Sequence, residues 1–113
     1  MYKLFGIPNC DTVKKARTFL DKKKQVVEFV DFKKYRPSDE DLERWSESFG
    51  GLPVNIKGVT YKKHKEVFEG LSQKAQIKFI QENTSMIKRP ILEKQGKVVA
   101  FGFEEEKYKT ILK

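Results

Sequence analysis

Two short apolar runs on either side of a basic amphipathic stretch leave the first thirty or so residues little choice of arrangement. Tyr2 to Phe5 is a strand-like run that ends at Gly6-Ile7-Pro8. Asp11 to Lys24 then places Val13, Ala16, Phe19 and Leu20 at helical spacing, with lysines gathering at the C-terminal end, where the helix dipole favours cations. Val26 to Val30 is compact and β-branched and reads as a buried strand. A strand, a helix and a strand joined this tightly form a β-α-β unit, with parallel strands and a right-handed crossover.

The middle of the chain is helical. Ser38, with Asp41 three positions on, is a capping-box start, and Leu42, Trp45 and Phe49 share one face until Gly50-Gly51 ends the helix. At that spacing Trp45 is a core residue, not a ligand platform. Lys62 to Phe68 reads as one or two helical turns, and Ser72 opens a further helix carrying Ala75, Gln76, Phe79 and Ile80. His64 stands in a lysine-rich stretch and reads as a surface residue with no catalytic role. After Asn83-Thr84-Ser85 the strand pattern returns. Ile91–Lys94 and Val98–Phe101 flank Gln95-Gly96, a tight-turn signal that makes them an antiparallel hairpin. Gly102 breaks the last strand, and Glu104-Glu105-Glu106 opens a final helix with Tyr108, Ile111 and Leu112 inward and Lys113 at its end. The expected whole is a single α/β domain, 1–113, built as β-α-β and then β-β-α around a helical insertion at about 38–83. That is the plan of a thioredoxin-like fold with a four-stranded mixed sheet.

The chain has one cysteine, Cys10, at the corner where the first strand hands over to the first helix. A thiol at a helix start faces unpaired backbone N–H groups and the positive end of the dipole, and both favour thiolate over thiol. Free cysteine titrates near ~8.5, and such a setting lowers it. The thiolate is the nucleophile, so Cys10 is a candidate reactive group; the plainer alternative is a small buried hydrophobe. One cysteine forms no internal disulfide, which removes the disulfide-scaffold class and suits a reducing cytoplasm. No signal-peptide pattern is present, and no apolar run approaches the ~18 residues needed to span a bilayer. The net charge is +8, and lysine dominates the basic residues, with runs at 22–24, 33–34 and 62–63. Such runs are ordinarily solvated faces. Without a zinc-ligand spacing or a stripe of stacking aromatics, nucleic acid is not the expected partner and no metal is expected.

Gly6-Ile7-Pro8-Asn9-Cys10-Asp11-Thr12-Val13-Lys14-Lys15-Ala16 resembles the active-site corner of the arsenate reductase (ArsC)/Spx family, and in particular its branch of glutathione-dependent thiol reductases. Ser85-Met86-Ile87-Lys88-Arg89-Pro90-Ile91-Leu92 resembles the family's Ile-Lys-Arg-Pro-hydrophobic signature. Asn55-Ile56-Lys57-Gly58-Val59-Thr60-Tyr61-Lys62-Lys63 is similar to a third family block, and Phe101-Gly102-Phe103 matches the Gly-Phe that ends the fourth strand. The blocks occur in the family's order and cover essentially the whole chain. The resemblance implies a nucleophilic Cys10, an Arg89 that stabilises the thiolate and holds an oxyanion or carboxylate, and a cis peptide before Pro90. It further implies that Asn9, Asp11, Thr12, Lys57, Lys88 and Pro90 contact substrate or glutathione.

Two departures from the family narrow the chemistry. Arsenate reductases of this type surround the cysteine with three arginines, and here only Arg89 has a clear counterpart. Lys57 supplies charge without the bidentate fork, which argues against arsenate as substrate. Many Spx-type regulators carry Cys-x-x-Cys, whereas Cys10-Asp11-Thr12-Val13 has no resolving thiol. The expected activity is therefore a monothiol oxidoreductase with glutathione as co-substrate and no tightly bound cofactor, acting as a cytoplasmic monomer. The alternative is an Spx-like regulatory protein that contacts the transcription machinery.

Overall fold

The computed structural model describes residues 1–112; the Lys113 expected at the end of the last helix lies outside them. Its elements are β1 (Tyr2–Gly6), α1 (Asp11–Lys22), β2 (Val27–Asp31), α2 (Asp39–Phe49), α3 (Val59–Glu69), α4 (Gln73–Glu82), a 3-10 turn (Thr84–Met86), β3 (Ile91–Lys94), β4 (Lys97–Phe101) and α5 (Glu105–Ile111). They fall into two compact units. One comprises Met1–Tyr35 with the segment from Arg89 onward, the other Arg36–Lys88.

The first unit is built on a four-stranded mixed sheet in the order β2-β1-β3-β4. β1 runs parallel to β2, with Tyr2 beside Val27 and Leu4 beside Phe29, and antiparallel to β3, with Leu4 beside Leu92. The β3–β4 hairpin turns at Gln95-Gly96, where both residues have positive φ (53° and 77°), the conformation a two-residue primed turn requires. Because strand side chains alternate, Tyr2, Leu4, Leu92 and Ala100 share a face, and it is covered by Ala16, Phe19 and Leu20 of α1 and Tyr108 of α5. Each of these large side chains taken out of water contributes about 1.5–3 kcal/mol. This is the thioredoxin-like sheet expected from the sequence. One detail differs. The Val26–Val30 run is not a fully buried strand: β2 is shifted to Val27–Asp31, lies at the sheet edge, and leaves Val26 67% exposed.

The second unit holds α2, α3 and α4. Ser38 and Asp41 form the expected capping box: the Ser38 Oγ accepts from the Asp41 N–H, and the Asp41 carboxylate accepts from the Ser38 N–H, both at 3.0 Å. Leu42 and Trp45 are fully buried, but Phe49, one turn on and beside the terminating Gly50, remains 41% exposed. α3 is longer than the one or two turns expected, because it begins at Val59 directly after Gly58. Val59 is 84% exposed, so no apolar periodicity in the sequence announces that first turn. His64 is half-buried and not a free surface group: its ring stands edge-on to Phe79 of α4, with centroids 5.2 Å apart. Ser72 caps α4 through the Ala75 N–H. No helix among the described residues is long and apolar enough to cross a membrane.

Candidate active site

The thiol is set by a turn and a helix start. The Cys10 N–H donates to the Ile7 carbonyl at 3.3 Å, closing the Ile7–Cys10 turn after β1, and the Cys10 carbonyl accepts from the Lys14 N–H at 2.9 Å as the first bond of α1. Cys10 is thus the N-cap residue, with extended backbone (φ −103°, ψ 124°) and its sulfur beside the first-turn N–H groups. The thiol does not close a conventional cap hydrogen bond as a hydroxyl oxygen would. Its surroundings still act on its ionisation. Partial burial pushes the thiol up, but the Val13 N–H, the hydrogen bond and charge of the Arg89 guanidinium, and the Thr12 N–H together outweigh it. The net result lies below the ordinary cysteine value, so a larger fraction is thiolate at neutral pH.

Arg89 is brought to the thiol by the start of β3. The Arg89–Pro90 peptide is cis, as the family resemblance implied. Pro90 is buried, and its carbonyl accepts from the Gly102 N–H at 2.8 Å, where Gly102 takes a left-handed conformation (φ 73°) at the end of β4. The Gly102 carbonyl in turn accepts from the buried Tyr108 hydroxyl at 3.1 Å. A chain of two hydrogen bonds therefore ties α5 to the segment that presents Arg89. Burial pushes Tyr108 well above the usual tyrosine range, which keeps its hydroxyl a donor.

Of the residues singled out in the sequence, Cys10, Thr12, Arg89 and Pro90 come together in the first unit. Asn9 and Asp11 flank the thiol in the chain with exposed side chains. Asp11 occupies the first helical position, where its charge suits the helix N-terminus. Lys57 and Lys88 belong to the second unit. Lys57 is exposed in the turn before α3; Lys88 is half-buried, with its N–H donated to the Pro53 carbonyl at 2.8 Å. Val13 and Tyr108 were not read as site residues. Val13 looks like pure core in the sequence, yet as the third helical residue its N–H helps to hold the thiol below its ordinary value. Among the described residues no cluster of three or more His, Cys, Asp or Glu side chains could hold a metal ion.

Gly6 protects this corner. A Cβ there would lie 2.8 Å from Val13 Cγ2 and 3.3 Å from Cγ1, and Val13 is fully buried. Gly6→Ala must push Val13 and the first turn of α1 outward, costing about 1–3 kcal/mol. The Cys10 thiol should then titrate closer to ordinary cysteine. Urea unfolding and alkylation rate against pH check the two halves. An unaltered alkylation profile would mean that Val13 yields by side-chain rotation alone.

Residues 5–111 match the model of the ArsC family. The solved structure of a protein called YffB shares 36% identity, covers 100% of both chains and superposes with a TM-score of 0.86. The solution structure of an arsenate reductase (ArsC) related protein from Brucella melitensis is 32% identical over 99% of this chain and 94% of its own, with a TM-score of 0.73. An uncharacterized protein of Haemophilus influenzae is 32% identical over 115 residues, 97% of each chain.

Proposed function

The chain belongs to the ArsC family, and from that premise we propose that it is a monothiol oxidoreductase that uses Cys10 as nucleophile and glutathione as electron donor. The observation that carries the reading is the Arg89 guanidinium on the sulfur of a helix-capping cysteine, which makes the thiol more acidic at neutral pH. The Cys10 thiolate attacks the glutathione sulfur of a mixed disulfide. A new disulfide forms between Cys10 and glutathione, and the substrate leaves as a thiolate that takes a proton from water. A second glutathione thiolate attacks that same sulfur, forms oxidised glutathione and returns Cys10 as thiolate. Two electrons pass from glutathione to the substrate, and no second protein cysteine is needed. This matches a chain that has only one.

Mass spectrometry after incubation with oxidised glutathione tests the first half-reaction. A single glutathione adduct on Cys10 is expected. It should form faster as pH rises, with a midpoint below the ~8.5 of free cysteine. No adduct, or a midpoint at or above the free value, would overturn the reading.

Arsenate is the other substrate class associated with the family, and the basic groups here do not favour it. Lys57 offers a point charge in place of a planar fork. With glutathione and glutaredoxin supplied, arsenate turnover should stay at the background of the Cys10→Ser protein. Robust turnover at micromolar arsenate would show that other cations supply the missing contacts.

A further inference from the structure

Helix α1 has two flanks, and they differ in charge. The flank toward β2 mixes Arg17 with Asp21 and stacks the Arg17 guanidinium over the Phe29 ring at 4.2 Å. The flank toward α5 carries Lys14, Lys15, Thr18 and Lys22. It borders a cavity of about 350 Å³ floored by Phe19 and Phe103, with Glu105 as the one acid in its lining. The Phe19 and Phe103 rings pack with centroids 5.7 Å apart, and Phe103 stands edge-on to the buried Tyr108 at 4.8 Å, so the floor is anchored to the core. Lys23 adds a further ammonium 5.7 Å from the Phe19 ring. Among the described residues, Lys14, Lys15 and Lys22 form no ion pair. An unpaired cationic rim over an apolar floor asks for a ligand that is acidic outside and apolar within.

We propose that the groove between α1 and α5 docks an acidic polypeptide segment carrying one apolar or aromatic anchor, and that this segment belongs to the protein whose mixed disulfide with glutathione the Cys10 thiolate attacks. The carboxylates lie along Lys14, Lys15 and Lys22, and the anchor enters the cavity over Phe19 and Phe103. The groove starts one helical turn from the thiol, since the Lys14 N–H bonds the Cys10 carbonyl. At 1.5 Å per residue, Cys10 to Lys22 spans roughly 18 Å, the reach of about five or six extended residues. A segment seated there therefore ends beside Cys10. A single-stranded nucleic acid fits the same features less well. Glu105 opposes a phosphate chain, and the lining offers one apolar recess in place of the row of stacking faces that successive bases need. Docking itself needs no thiol chemistry; only the identity of what is docked rests on the thiol-transfer reading.

The test is fluorescence anisotropy with a labelled nonapeptide of Asp and Glu around a central Phe, lacking any cysteine. Comparison probes are the same peptide with Ala at its centre, its Lys-for-acid counterpart and a labelled oligo-dT. Wild type should bind the acidic Phe peptide and not the basic one. Lys15→Glu with Lys22→Glu should weaken binding about tenfold or more, since each reversal replaces an attraction by a repulsion. Lys62→Glu with Lys65→Glu, which changes the net charge equally on exposed positions of α3, should leave it within about twofold. Losing the anchor should cost about tenfold. Equal losses in the two charge-reversed proteins, indifference to the anchor, or tighter binding of oligo-dT would each overturn the groove. Peptide binding in a protein that forms no glutathione adduct would support the groove while sinking the thiol-transfer reading.

Discussion

Cys10→Ser should abolish glutathione-dependent thiol transfer and, at the same time, raise the unfolding temperature. The loss follows from chemistry: a serine hydroxyl is not ionised near neutral pH and forms no disulfide. The gain follows from position. Cys10 is the N-cap of α1 and closes no side-chain cap bond, whereas serine is among the best N-cap residues. A hydroxyl oxygen at an N-cap accepts from the N–H of the second or third helical residue, and here the third is Val13, whose N–H already helps to hold the thiol below its ordinary value. A cap bond of this kind is worth about 1 kcal/mol, or roughly 4 °C in a domain of this size. The pH dependence sharpens the expectation. The folded state holds the Cys10 thiol below its ordinary value and so favours the thiolate, and wild type gains stability from that ionisation. That gain is fully present above the unfolded value of ~8.5 and is lost as the pH falls through the folded value. Serine carries no such dependence. Its advantage should be widest in mild acid and should narrow as pH rises. Calorimetry at several pH values beside a coupled assay with a small mixed disulfide reads both effects. A variant with full activity would remove Cys10 from the mechanism, and one with a lower unfolding temperature would mean that the sulfur holds the helix start better than oxygen can.

How much of this was written in the sequence differs from element to element. Local signals with a single physical meaning were legible: the Ser38–Asp41 capping box, the Gln95-Gly96 turn, and the strand–Pro–Cys–helix corner. Each is decided within four or five residues. The start of α3 was not, because Gly58 caps it without a side chain and its first residue, Val59, is turned to solvent. Exposure of Phe49 and Val26 was also hidden, since an apolar residue at the right spacing reads as core until the sheet edge or helix end leaves it uncovered. The site divides the same way. Cys10 declares itself by position, and the Arg89-Pro90 pair through the family motif. The Val13 N–H is a backbone group, invisible to residue type. The tie from Tyr108 through Gly102 to Pro90 joins three elements that only the folded sheet brings into contact.

Arg89→Lys is the variant that separates charge from geometry at the thiol. The guanidinium both donates a hydrogen bond to Cys10 and acts on it as a charge. Lysine keeps the charge on a flexible stem but lacks the rigid fork, and its strongly hydrated ammonium holds water that the guanidinium sheds more easily. The Arg89 Nε is withdrawn from solvent, so the side chain is set in its place and not swinging at the surface. Losing one charge-assisted contact costs about 1.5–3 kcal/mol, which is roughly one to two decades in kcat/KM. Part of that loss is thiol ionisation and part is stabilisation of the sulfur charge as the disulfide exchanges. The pH profile resolves the two. The ionisation part should disappear at high pH, where even an unassisted thiol is ionised; the remainder should persist there. Arg89→Met removes the charge as well, so it should lose more than the lysine variant at neutral pH and shift the alkylation midpoint further upward. Equal rates for Arg89→Lys and wild type across the pH range would mean that a nearby positive charge suffices. Equal losses for lysine and methionine would mean that the fork does everything and the charge nothing.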